Sequence, residues 1–260
     1  MINTKFRISI LGCGRFGKLL ADNLINHGNS VKGSTTSENK LQTFSDSGII
    51  PFLIQLDSIS SAISGFLDSE ILIVSLTSKN IEGFKNLISH IEKSPVKNII
   101  FISSTSVYEE TNEIVTEQTP IKSSPLSEIE KLFTENPNFS TTVIRFGGLF
   151  GYDRKPGNFY SRGSKINNPE GFVNMIHLDD CVSIASQIIE KGIWNETFNA
   201  CADTHPTRRE FYTKSALEIG REIPEFTDNE INKYKIINSQ KLKVILNFEF
   251  KYPDLLASVF

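Results

Sequence analysis

Residues 12–17 read GCGRFG, a GxGxxG spacing set between the apolar run FRISIL at 6–11 and the helical pattern FGKLLADNLINHG at 16–28. Between a strand and a helix, that spacing serves a dinucleotide. Gly12 permits the tight turn, Gly14 lets backbone approach a pyrophosphate, and Gly17 lets helix and strand pack closely. The phosphates would rest on the helix N-terminus, where backbone N–H groups and the macrodipole favour an anion by up to ~2 kcal/mol. Arg15 and Phe16 fall inside the motif and are counted with its contacts. Leu76 and Ser103, at the ends of the fourth and fifth expected strands, are counted there too.

The second strand bears on which dinucleotide is held. An NAD site usually presents Asp or Glu to the ribose diol about twenty residues after the glycines. Here that strand end reads Lys32-Gly33-Ser34-Thr35-Thr36-Ser37, with no carboxylate before Glu38. The hydroxyls of Ser34, Thr35 and Thr36, with Arg15 and Lys40, suit a 2′-phosphate better than a diol. NADP is therefore expected, with NAD as the alternative. Asp57 ends the third strand and has two readings, an acceptor for the adenine amino group or the N-cap of the next helix. His177 stands at a strand end before Asp179 and Asp180 and is of the type that titrates near neutrality. Tyr152, Arg154 and Asn174 are candidates to meet a substrate, while His205, Arg208 and Arg209 read as surface charge.

The elements that must position these residues alternate along the chain. Apolar runs at 6–11, 29–35, 49–56, 70–76, 98–103 and 140–146 are separated by helical patterns, including SSPLSEIEKLF at 123–133. Unbroken apolar strands between helices indicate a parallel sheet covered on both faces, hence an α/β, doubly wound, Rossmann-type fold. Residues 147–171 hold six of the sixteen glycines and two prolines without periodicity, and read as a long loop. A strand at 172–177, a helix at 178–192 and a strand at 196–201 follow. A smaller tail has helices near 207–219, 238–246 and 253–259. The expected division is 1–150 for the nucleotide and 151–260 for the substrate side, with 172–202 contributing to the large sheet.

Composition sets the bounds. The 260 residues are 39% hydrophobic and 22% charged with a formal net charge of -3, an ordinary globular balance that gives nucleic acid or anionic membrane no electrostatic reason to bind. The longest apolar runs, such as NIIFI at 98–102, are far short of a membrane span. Cys13, Cys181 and Cys201 are too widely spaced for a disulfide framework or a zinc site, so no metal is expected. No leader pattern is read, and a cytoplasmic protein is expected.

IIFISSTSVYEE at 99–110, with GCGRFG, VIRFGGLFG at 143–151, FVNMIHLDD at 172–180 and ETFNACAD at 196–203, resembles the extended short-chain dehydrogenase/reductases. More narrowly, it is similar to their atypical, NAD-dependent epimerase/dehydratase-like branch. The resemblance implies a nicotinamide cofactor and a small-molecule substrate such as a nucleotide sugar. It also implies that Ser104 hydrogen-bonds the substrate oxygen, and that a Tyr and a Lys one turn apart on the next helix move the proton. Lys131 and Glu135 fit the lysine and its following glutamate, which leaves Ser127 in the tyrosine position. The six tyrosines are followed four residues later by Asn112, Pro156, Ser164, Ala216, Asn238 and Leu256, so the chain contains no YxxxK. A serine hydroxyl is far too weak an acid to replace a phenol, and losing a positioned acid/base typically costs a factor of about 10²–10⁴. Two expectations follow. Either the reaction persists with Tyr108 or His177 as a non-standard acid/base, or the protein is a catalytically silent NAD(P)-binding redox sensor or scaffold.

Overall fold

The computed structural model describes residues 5–161, 163–227 and 233–257. Its strands are β1 (Arg7–Leu11), β2 (Ser30–Thr35), β3 (Ile50–Leu53), β4 (Ile71–Val74), β5 (Asn98–Ser104), β6 (Ile114–Val115), β7 (Ser140–Phe146), β8 (Gly148–Phe150), β9 (Met175–His177), β10 (Thr197–Ala200) and β11 (Ile236–Ile237). The α-helices are α1 (Arg15–Asn26), α2 (Leu41–Asp46), α3 (Ala62–Phe66), α4 (Ile81–Ile91), α5 (Pro125–Thr134), α6 (Leu178–Lys191), α7 (Arg208–Glu218) and α8 (Gln240–Leu246). Seven strands form one sheet in the order β10-β7-β5-β4-β1-β2-β3. The pairs β1–β2, β1–β4, β2–β3 and β4–β5 are all parallel. The order steps outward on either side of β1, which is the doubly wound arrangement expected of this pattern.

The register explains the unbroken apolar runs. Ile8 pairs with Val31 on one side and Ile71 on the other, so the central strands have no solvent face to carry polar residues. Helix α1 turns Phe16, Leu20, Ala21 and Leu24 inward at helical spacing. Helix α5 starts where Ser124 caps and Pro125 takes the first position, and it packs Phe133 on Phe101 of β5 at 4.9 Å between ring centroids.

The chain forms two compact units. The first comprises Met1–Ser103, Ser123–Ile144 and Ile184–Thr197; the second comprises Ser104–Lys122, Arg145–Ser183 and Phe198–Phe260. The first has a large core around Leu72, Phe84, Phe101 and Phe133. The second has a smaller one around Phe150, Met175, Phe211 and Leu255.

Several local features differ from expectation. The glycine-rich stretch after Phe146 is not all loop: β8 pairs in parallel with β9, so only the end of the 172–177 run is a strand, and it lies in a separate two-stranded sheet. A second parallel pair joins β6 to β11. Two- and three-residue strands are too short to leave an alternating pattern. Residues 255–257 form a turn just after Pro253 rather than a helix, and the rest of that expected helix, 258–259, lies outside the described residues.

Candidate functional site

In the first unit the glycine loop borders a cleft of about 690 Å³ lined by Gly12, Cys13, Gly14, Ser34, Thr35, Thr36, Lys40, Asp57 and Leu76, among others. The three glycines have three different geometries. Gly12 has φ +91°, and a Cβ there would lie 2.5 Å from the Ser75 carbonyl oxygen. A Cβ on Gly17 would lie 2.7 Å from the Gly12 carbonyl oxygen, the close packing of helix on turn. At Gly14 a Cβ would meet nothing within 4 Å, so the backbone faces open space where a ligand can approach. Helix α1 begins there with no side-chain cap and no acidic residue in its first turn. That is the donor set and the charge environment a pyrophosphate requires.

The remaining expected contacts divide. Thr36 and Lys40 are exposed, and both line the cleft; Thr35 and Leu76 are half-buried in its wall. Ser34 also lines it, but its hydroxyl accepts the Gly12 N–H at 2.9 Å and its carbonyl accepts the Cys13 N–H at 2.9 Å. The hydroxyl expected at a 2′-phosphate thus fastens the glycine turn, because β2 runs directly beside β1. Asp57 caps no helix, since the next one is preceded by Ser61; its carboxylate accepts from the Asn80 side-chain amide, and Asn80 in turn caps α4. Arg15, Phe16 and Ser103 are not in the lining. Arg15 is exposed and Phe16 is buried under α1. Ser103 donates to the buried Glu130 carboxylate of α5. Ser103 and Ser104 are adjacent on β5, so they face opposite ways, and only one of them opens on a pocket. Burial pushes the Cys13 thiol up to about 12, which leaves it protonated and inert.

The second unit has a pocket of about 260 Å³, lined in part by Ser104, Thr105, Glu110, Arg208, Tyr212 and Lys235. Ser104 Oγ accepts the Ser106 N–H at 3.1 Å, which caps a short 3₁₀ turn and leaves the hydroxyl proton to donate. Tyr108 is fully buried. Its hydroxyl accepts from Arg145 Nη1 at 2.7 Å and donates to Asn199 Oδ1 at 2.9 Å, and burial raises its pKa. That hydroxyl ties core elements together and is absent from the pocket lining.

His177 is 6% exposed, with Nδ1 accepting the Asp179 N–H at 3.1 Å and its ring 3.8 Å from that of Tyr252. It caps the start of α6, and burial lowers its pKa. Asp179 accepts from Tyr152 Oη at 2.5 Å and from Lys251 Nζ at 2.7 Å, so Tyr152 is committed there. Arg154 donates to the Leu149 carbonyl. His205, Arg208 and Arg209 diverge: Arg209 pairs with Glu170 at 2.8 Å, His205 bonds the Val173 carbonyl, and Arg208 joins the pocket lining.

Ser127, which the resemblance sets at the tyrosine position, has a local role. Ser127 is 3% exposed, and its Oγ accepts the Ser124 N–H at 2.9 Å and donates to the Ser124 carbonyl at 2.8 Å. It is the third residue of a capping box that starts α5, whereas Lys131 is exposed. Lys235 is the pocket residue that sequence reasoning missed. It lies in a polar tail with no motif around it, and its nearest partner, the Tyr108 carbonyl, is distant in sequence.

Residues 7–123 match the NAD-binding domain of 6-phosphogluconate dehydrogenase. Over almost its full length the chain is similar to the Escherichia coli protein YeeZ, at 30% identity across 96% of this chain and 98% of that one. Its fold resembles that of dTDP-glucose 4,6-dehydratase from Bacillus anthracis in complex with NAD, with a TM-score of 0.78, 16% identity, and coverage of 97% and 95%. It resembles equally UDP-glucose 4-epimerase from Thermotoga maritima with UDP-glucose, with a TM-score of 0.77, 19% identity, and coverage of 97% of each chain. No helix among the described residues is long and apolar enough to cross a membrane, and no cluster of metal-ligating side chains occurs among them.

Proposed function

This chain belongs to the family of the Escherichia coli protein YeeZ and has the fold of the epimerase/dehydratase-like short-chain dehydrogenase/reductases, and from that premise we propose that it is an NAD(P)-dependent enzyme acting on a hydroxyl or carbonyl of a nucleotide sugar or a similar small molecule. The observation that carries the reading is the glycine cradle. Gly12 and Gly17 are sterically fixed as glycine, while Gly14 presents bare backbone to an open cleft. NADP is the preferred dinucleotide in this reading, because Thr35, Thr36 and Lys40 border the cleft and no carboxylate follows β2 before Glu38. In this reading Asp57, held by Asn80, accepts from the adenine amino group.

A bound nicotinamide would supply hydride exchange with the substrate carbon. This chain's own residues bind and orient the substrate: the Ser104 hydroxyl donates to the substrate oxygen, and Arg208 offers charge to an anionic group on the same ligand. Tyr108 and His177 have no role at the reacting atoms in this reading, since their polar atoms are engaged in the core and at a helix start.

Titration calorimetry with NAD⁺, NADH, NADP⁺ and NADPH tests the cradle. At least one should bind, and Gly14→Asp should abolish binding while the fold survives, because the new Cβ meets no protein atom. If wild-type protein ignores all four dinucleotides, the reading is wrong. A second reading, a silent binder that reports redox state, is favoured by the buried capping serine in the tyrosine slot. It predicts tight dinucleotide binding with no turnover of any hydroxyl or carbonyl compound.

A further inference from the structure

We infer that Lys235 takes and returns the proton at a substrate oxygen held by Ser104, the work that a tyrosine does elsewhere in this fold; the inference rests on the oxidoreductive reading above. Lys235 and Ser104 line the same pocket of about 260 Å³. Lys235 Nζ donates to the Tyr108 carbonyl at 2.8 Å, which fixes the direction of the side chain. One N–H of a neutral amine satisfies that carbonyl, and the other N–H and the lone pair remain for a ligand.

The backbone that carries Lys235 is held on both sides. Asn174 Nδ2 donates to the Lys235 carbonyl at 2.9 Å, and Asn174 Oδ1 accepts the Ile237 N–H at 2.9 Å. Ahead of it, Asn112 Oδ1 accepts the Tyr234 N–H at 2.8 Å, and the Glu113 carbonyl accepts the Ile236 N–H at 3.0 Å. A flexible four-carbon side chain on so firmly held a segment is a positioned group, the condition for proton transfer.

The surroundings push the Lys235 pKa below that of a free lysine. Burial is the main force lowering the Lys235 pKa, reinforced by the positive charge of Lys122; Glu109, Glu110 and Cys201 oppose it. Arg208 and Lys233 also border the pocket and add positive charge. A lysine shifted downward in this way is the usual form of a general base on this side chain.

In oxidation of a substrate alcohol, the O–H bond breaks and its proton goes to the Lys235 lone pair, giving an ammonium. The freed O–H electron pair becomes the second C–O bond as the carbinol C–H bond breaks. The hydride goes to an oxidised nicotinamide dinucleotide, which is reduced. In the reverse direction the ammonium returns the proton to the oxygen.

The test compares wild type with Lys235→Arg and Lys235→Met. Arginine keeps the charge and can still donate to the Tyr108 carbonyl, but it does not release its proton at working pH. With UDP-glucose and NADP⁺ or NAD⁺ as probes, Lys235→Arg should lose turnover by about 10²–10⁴-fold and lose the acidic limb of the pH profile, the fall in rate as the amine takes a proton. Dinucleotide binding should be unchanged in both variants. Reductive ¹³C-methylation gives a second readout that needs no substrate: one lysine resonance should titrate below the rest and vanish in Lys235→Met. A Lys235 resonance that titrates with the surface lysines overturns the inference, as does Lys235→Arg protein at wild-type turnover. Either outcome with dinucleotide binding intact leaves the cofactor reading standing, whereas failure of the wild type to bind any dinucleotide removes both.

Discussion

At the scale of single residues, neighbouring positions in this chain have been given different tasks. Ser103 serves the core and Ser104 a pocket; Ser34 holds a turn, whereas Thr36 and Lys40 face the cleft. On the proposed reading, cofactor choice therefore falls to fewer groups than the sequence suggested, and Lys40 is the cation among them. Lys40→Glu should reduce affinity for NADP⁺ by roughly fivefold, as expected for an exposed charge contact, and leave NAD⁺ nearly unchanged. Rising salt should shrink the wild-type preference. Calorimetry at two ionic strengths checks this, and equal binding of both dinucleotides to wild type would defeat it. The motif residues were legible because glycine geometry is local: GxGxxG specifies a turn, an approach and a packing contact within six residues. Lys235 was not legible, because its significance comes from a carbonyl 127 residues earlier in the chain.

At the scale of elements, the start of α5 gives Ser127 a task in folding. Its first turn closes on itself through Ser124 and Ser127, and its far end packs Phe133 against Phe101 and Phe84. Replacing Ser127 with tyrosine removes the reciprocal half of the capping box and forces a phenol into a site that is 3% exposed. The expected result is a loss of about 1–3 kcal/mol in stability, with no gain of turnover. Urea denaturation measures the first and a coupled assay the second; a Ser127→Tyr protein that gains activity at full stability would refute this account. The boundaries of the long strands and helices followed from periodicity because each buries a continuous face. The short pairs β6–β11 and β8–β9 did not, since their partners lie far along the chain and neither carries enough residues for a pattern.

At the scale of the whole molecule, the α6 start carries part of the acid sensitivity. His177 is buried, and its pKa is held below the ordinary 6.5. A base with a depressed folded pKa contributes stability above its unfolded pKa, and that contribution is lost as pH falls from about 6.5 toward the folded value. Stability should therefore decline between pH 7 and 5, and His177→Gln should flatten that slope, although His205, lowered by burial in the same way, keeps part of it. Asp179, lowered by its bonds to Lys251 and Tyr152 against an opposing burial effect, acts below 3.8 and so in a separate window. Denaturation midpoints across pH decide the matter; an unchanged slope in His177→Gln would assign the acid sensitivity elsewhere. One feature of the chain path reaches further. The thread passes between the two compact units at 103/104, 122/123, 144/145, 183/184 and 197/198, so neither unit is a contiguous stretch. During synthesis at roughly 5–20 residues per second, about ten to forty seconds separate the emergence of Gly12 from that of Thr197. The nucleotide cradle leaves the ribosome well before Ile184–Thr197 and must wait for that last segment of its own unit. Exchanging either unit between relatives would likewise take five junctions.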